Sequence, residues 1–297
     1  MIQGIGINAD SGRIDGRLDV LEADLRKFAE AGFEWVEIAA HSLDVLVHGS
    51  LIPSRLHEVK RLVSSFDLKY TLHCPDPTNL MDRVFGELHK QVLHACLELA
   101  AEIEAPIVVY HCGQPDSPEE EAELCKRERE ALAELGQRAQ TLGVTICVEN
   151  ALLSPFTFPE RTGFSAARID HVVGHIEEIA HPSVKLCLDI GHGFIAANVL
   201  GFDLAEGLRR AQPYIRHLHL HDNFGLYNPN SGGKIINSLP FGFGDLHRAP
   251  GDGSIPYAAL TDDIRACEAV ALVELNPRYQ TPERLRRMLG DLKERFM

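Results

Sequence analysis

The stretch IRHLHLHDN, residues 215–223, alternates His217, His219 and His221 with Arg216, Leu218 and Leu220. Side chains two apart on an extended chain share a face, so IRHLHLH (215–221) reads as a strand with three imidazoles on one side and leucines on the other. Seven more short apolar runs accompany it: IQGIGIN (2–8), EWVEIAA (34–40), KYTLHC (69–74), APIVVYHC (105–112), VTICVEN (144–150), VKLCLDI (184–190) and AVALVEL (269–275). Between them lie charge-rich segments with helical spacing, for example 18–32, 118–143 and 283–296, and Gly32 and Gly143 sit where a helix stops. Eight strands alternating with helices imply an α/β protein with a parallel sheet. The economical closure is a single (β/α)8 TIM barrel occupying residues 1–297 as one domain, with a doubly wound open sheet as the competitor.

Composition agrees with a soluble globular enzyme: 297 residues, 45% hydrophobic and 24% charged. A formal net charge of −14 opposes polyanionic partners, so nucleic acid and anionic membrane surfaces are disfavoured. The seven cysteines lack C-x-x-C spacing and fall mostly in apolar runs, which reads as reduced core thiols in a cytoplasmic protein. No run approaches membrane-spanning length, and MIQGIGINAD is not a secretory leader. The acidic run PEEEAE (118–123) reads as the first turn of a helix, where carboxylates meet the positive end of the dipole. GFGDLHRAPGDGS is glycine-rich but lacks Gly-Lys-Ser/Thr and does not open a helix after the first strand, so a nucleotide P-loop is disfavoured. The long connection 222–254, with seven glycines, reads as a lid or binding loop.

Polar residues gather at the C-terminal ends of the apolar strands: His73, His111, Glu149, Asp189, His219 or His221, and Glu274. In a barrel those ends converge on one mouth, where imidazoles and carboxylates together suit a divalent cation such as Zn²⁺ or Mn²⁺. One such histidine alone is more simply a hydrogen-bonded rim residue; the set as a whole carries the inference.

ICVEN, LCLDIGHGF, HLHLHDN, GDLHRAPGDGSIPY and ALVEL, in this order and spacing, resemble the xylose isomerase-like TIM-barrel superfamily. That superfamily includes sugar and sugar phosphate isomerases and epimerases, inosose dehydratases, and endonuclease IV of the AP endonuclease family 2. The resemblance implies a core metal held by Glu149, Asp189, His219 and Glu274. His217 then lies one layer deeper in a structural role, and His221 supports the ligands from nearer the solvent. Endonuclease IV-like members hold up to three ions, and the matching positions are filled by His73 and His111 beside Glu149, and by His192, Asp245 and His247.

Two chemistries follow. With one metal, the expectation is an isomerase or epimerase of a small sugar, sugar phosphate or polyol, with Glu149 and Glu274 transferring the proton and His192 binding a substrate oxygen. Epimerases of the superfamily often carry a substrate-binding Arg shortly after the metal-histidine strand, where this chain reads DNFG. With three metals, the same residues suit hydrolysis of a small phosphoester. Abasic DNA is disfavoured, because no clustered Lys and Arg with interleaved aromatics would hold a duplex. Arg161, Lys234, Arg248 and Arg278 follow strand ends and are placed to neutralise a charged substrate.

Overall fold

The computed structural model describes residues 1–117, 119–153, 163–228 and 235–297. Eight parallel strands close into a barrel: β1 (Gly4–Ala9), β2 (Trp35–Ala39), β3 (Lys69–His73), β4 (Ile107–His111), β5 (Thr145–Glu149), β6 (Val184–Asp189), β7 (Ile215–Leu220) and β8 (Val270–Val273). Each pairs with its neighbours in sequence, and β1 pairs with β8 through Gly4 to Val270 and Ile7 to Val273, which closes the sheet. That pairing excludes the open doubly wound alternative. A small antiparallel ribbon, Leu46–Val47 with Ser50–Leu51, was not expected from the sequence.

The period of two sorts every strand into an outer and an inner face. Outer residues such as Val36, Ile38, Val108, Val148, Leu186, Leu218 and Val273 are buried against the helices in one continuous core. Inner residues form a separate apolar layer of Trp35, Ile107, Val109, Cys147, Cys187 and Val270 toward the N-terminal end. Trp35 fits there because Gly4 and Gly6 carry no side chain: a Cβ on Gly4 would meet the indole ring at 2.6 Å. Lys69 Nζ lies 5.3 Å from the same ring. Above this plug the inner face turns polar.

The helix Leu18–Ala31 stops at Gly32 with φ 93° and Glu121–Leu142 stops at Gly143 with φ 71°, both left-handed positions that favour glycine. The second helix begins at Glu121, so Glu119 and Glu120 precede its first turn and Pro118 lies outside the described residues. The C-terminal helix Pro282–Phe296 buries Leu285, Met288, Leu289, Leu292 and Phe296. All seven cysteines are free and buried. Among the described residues no helix is long and apolar enough to cross a membrane.

One buried carboxylate ties this outer layer to the mouth. Glu128, fully buried on Glu121–Leu142, accepts hydrogen bonds from Tyr110 Oη and the Gly113 amide, both at 2.7 Å, and lies 2.8 Å from His175 Nε2. Tyr110 Oη in turn accepts from the Leu80 amide at 3.0 Å. The loops after β3 and β4, which follow His73 and His111, are therefore fastened to one side chain. Replacing Glu128 with Ala strands these donors in a dry interior and is expected to cost about 3–5 kcal/mol. Urea unfolding checks this; a loss below about 1 kcal/mol refutes the anchoring role.

Candidate metal centre

The C-terminal ends of β3 to β8 bring the acidic and imidazole side chains together. His219 lies at the centre, with no exposed surface. Its Nδ1 is 3.3 Å from Glu149 Oε1, 3.6 Å from Glu274 Oε1 and 3.8 Å from Asp189 Oδ2. The four residues expected to hold a core metal thus converge on one point. Strand register explains part of this, since Asp189 pairs with His219 on adjacent strands. Glu274 follows β8 by one residue and arrives through the Glu274 amide, which donates to Leu220 O at 3.1 Å.

Glu149 faces two groups at once. Its Oε1 points to His219 and, at 3.4 Å, to His192 Nδ1; its Oε2 lies 3.3 Å from His73 Nε2 and 3.4 Å from His111 Nε2. His73 Nδ1 donates to Cys74 O at 2.6 Å, and its Nε2 lies within hydrogen-bond distance of Glu149 Oε2 at 3.3 Å. His192 Nδ1 donates to Asn150 O at 3.0 Å, and its Nε2 lies 3.5 Å from Asp245. Asp245 Oδ2 is 2.6 Å from His247 Nε2. The backbone at His247 is left-handed, with φ 45°.

His221 faces two carboxylates. Its Nε2 lies 3.2 Å from Asp189 Oδ1 and its Nδ1 3.2 Å from Asp245 Oδ1, so it joins both Asp189 with His192 and Asp245 with His247. Gly191 permits this, because a Cβ there would overlap the His221 ring. Asp222 is an organiser of the following loop: its carboxylate accepts from the amides of Asn223, Gly251 and Ile255 at 2.8 to 3.1 Å. His217 sits a layer deeper, 2.9 Å from Glu37 Oε2.

Glu37 is the residue that sequence reasoning missed. It is buried on the inner face of β2, accepts from Thr71 Oγ1 at 2.9 Å, and lies 3.0 Å from His219 Nε2. The available signal was a charged residue inside the otherwise apolar run WVEIAA (35–40).

The electrostatics follow from packing these charges together. Burial pushes the Glu149 carboxyl up, but His219, His111 and His192 outweigh it and hold it well below the usual carboxylate range. Burial likewise opposes ionisation of Asp189 and Asp245, yet His192 and His221 lower the first, and His221, His247 and His192 hold the second well down. The imidazoles respond in kind. Despite burial, Glu149, Glu37 and Asp76 raise His73 to about 10, while Asp245 and Glu274 raise His247 to about 9.

These residues fit a divalent cation. Asp189 Oδ2, both ring nitrogens of His219, His221 Nδ1 and Asp245 Oδ1 are buried without a hydrogen-bond partner. Buried polar atoms left unsatisfied are costly, and here they face one another at ion-pair distances. Histidine nitrogens with carboxylate oxygens are the donor set of Zn²⁺ or Mn²⁺. Groups whose ligand atoms lie within 4.8 Å of one another include His73, His111 and Glu149; Asp189, His192 and His221; His221, Asp245 and His247; and Glu37, His219 and Glu274.

A cavity of about 500 Å³ opens over this floor. Glu149, Glu274, His192 and His247 line it, with Asn8, Asp10, Asp76 and Gln114 on the walls. Among the described residues lining it there is no Lys or Arg. Arg248, expected to meet a charged substrate, turns away: its Nε donates to Asp252 O at 3.0 Å, and its guanidinium lies 5.5 Å from the Tyr279 ring. Arg278 is exposed and donates to Asn276 Oδ1 at 3.2 Å. Lys234 and Arg161 lie outside the described residues.

Comparison with known proteins agrees with this architecture. The chain is 26% identical over 258 residues to an uncharacterised protein of Methanocaldococcus jannaschii, covering 85% of each. Its fold is similar to that of a D-tagatose 3-epimerase-like protein, with a TM-score of 0.71, 19% identity, and coverage of 98% of this chain and 96% of that one. D-psicose 3-epimerase from Clostridium cellulolyticum H10, solved with D-tagatose, gives a TM-score of 0.69 at 16% identity over 99% of both chains. D-allulose 3-epimerase from Methylomonas sp., in complex with D-allulose, gives 0.70 at 14% identity, over 99% of this chain and 97% of that one. A profile of one family spans residues 25–290, and with the closed barrel and its mouth this shows that the chain belongs to the xylose isomerase-like TIM barrel family.

Proposed function

We propose that this chain, acting as one barrel domain over residues 1–297, is a divalent-metal-dependent isomerase or epimerase of a small, uncharged sugar or sugar-derived polyol. The observation that carries this reading is a cavity without Lys or Arg among its described lining residues, set over two carboxylates that flank His219. A phosphorylated substrate calls for Arg or Lys at the phosphate, whereas hydroxyls are met by the amides and carboxylates found here. The similar solved structures, described as sugar 3-epimerases, support the same reading.

Lewis acidity toward the substrate carbonyl is what an ion held by Glu149, Asp189, His219 and Glu274 would supply. Glu149 and Glu274 approach His219 from different strands, β5 and the end of β8, and so reach a bound ketose from two sides. One carboxylate takes the proton from the carbon beside the carbonyl. The other then delivers a proton to the opposite face of that carbon, inverting it. His192 lines the cavity with its Nδ1 committed to Asn150 O, and its Nε2, 3.5 Å from Asp245, is placed to turn its proton to a substrate hydroxyl.

A second reading, hydrolysis of a small phosphoester with three ions, is favoured by one observation: the two oxygens of Glu149 face two different histidine groups, as a bridging ligand would. Elemental analysis of protein purified without added metal separates the two. One ion per chain, kept in His73→Ala and His247→Ala, is the expected result. About three ions, with one lost in each variant, selects hydrolysis instead.

In D2O, a ketose substrate is expected to gain deuterium at the carbon beside its carbonyl, and Glu149→Gln or Glu274→Gln should each slow this by about 10²–10⁴-fold. Exchange at the parental rate in both variants removes them from the proton transfer. The metal-free protein should also show the charge balance of the site. His73 and His247 bind protons more tightly folded than unfolded, so their contribution is fully present below about pH 6.5 and is lost as pH rises through about 9 to 10. Thermal unfolding after chelation should therefore fall across that window, and added Mn²⁺ or Zn²⁺ should restore stability most at its upper end, where protons no longer compete.

A further inference from the structure

We propose that Glu37 is a positioning residue that decides which nitrogen of His219 carries the proton, and so presents Nδ1 as the ligand atom. This rests on the reading of His219 as a metal ligand. Glu37 stands on β2, and β7 with His217 and His219 lies across the barrel from it. Both partners on its Oε2 are donors: the Thr71 hydroxyl at 2.9 Å and His217 Nε2 at 2.9 Å. Thr71 is held there by strand register, paired directly with Glu37 between β2 and β3. The remaining oxygen, Oε1, lies 3.0 Å from His219 Nε2.

A carboxylate can only accept, so this 3.0 Å contact, close in distance but not aligned as a hydrogen bond, favours the form of His219 with its proton on Nε2. A neutral imidazole has one N–H, which leaves the Nδ1 lone pair free. That Nδ1 is the atom facing Glu149, Glu274 and Asp189. The ring is thereby fixed in orientation and proton placement at once, as a ligating histidine is when its second nitrogen donates to a carboxylate. His217 reads as the clamp on the same carboxylate. Its Nδ1 is buried without a partner, so Nε2, against Glu37, is the nitrogen with a use for the proton.

The near-isosteric Glu37→Gln change tests this by reversing one contact. The Gln oxygen stays with the donors Thr71 and His217, and its amide NH2 turns toward His219 Nε2. That nitrogen must then accept, the proton moves to Nδ1, and the ligand atom is lost. Volume and packing hardly change.

The experiment is ¹⁵N NMR of the histidine rings in Zn²⁺-loaded protein, together with Zn²⁺ affinity by chelator competition and thermal unfolding of the metal-free forms. In the wild type, His219 is expected to coordinate through Nδ1 and to keep its proton on Nε2. In Glu37→Gln, Zn²⁺ affinity should fall about 10–100-fold, with metal-free unfolding little changed. Lower metal-free stability with unaltered affinity assigns Glu37 a merely structural role and overturns the proposal. Coordination through Nε2 in the wild type also overturns it, and needs no variant to fold. Failure of the wild type to bind Zn²⁺ or Mn²⁺ overturns the metal reading itself.

Discussion

The mouth of this barrel depends on mutual neutralisation of charges taken out of water. Glu37, Glu149, Asp189, His192, His219 and His221 are all buried, and each isolated charge there would cost several kcal/mol. Together they alternate in sign through contacts of 3.0 to 3.8 Å. Remove one partner and its neighbour is left as an uncompensated ion. The same demand that stabilises the cluster also makes it receptive to a cation, because several buried donor atoms remain unsatisfied by protein alone.

The fold was legible in sequence because parallel barrel strands are buried on both faces. Each strand therefore appears as a compact apolar run, and the expected limits differ from the observed ones by at most two residues at either end. Closure was not legible locally, since it rests on β1 meeting β8, the two ends of the chain. The polar residues at strand ends were visible for the same reason as the strands: a His or Glu stands out at the edge of an apolar run.

What escaped were roles set by direction and distance. Glu37 lies mid-strand, and its partners His217 and His219 are 180 or more residues away. His221 lies one residue beyond β7; alternation places it on the face of His219 but says nothing of its link between Asp189 and Asp245. Arg248 and Arg278 occupy plausible positions in sequence, yet loop geometry sends Arg248 onto Tyr279 and leaves Arg278 exposed. Sequence spacing locates a side chain along a loop and says nothing of where it points.

Trp35, packed between the glycines of β1 and the apolar inner layer, makes the barrel a blind well. Anything that reaches the acidic floor enters and leaves by the same opening, so product must clear the mouth before the next molecule descends. Water is subject to the same one-way traffic. On the chemistry proposed above, a proton lifted from a bound molecule by a floor carboxylate could exchange with bulk solvent only past that molecule, which would act as its own stopper.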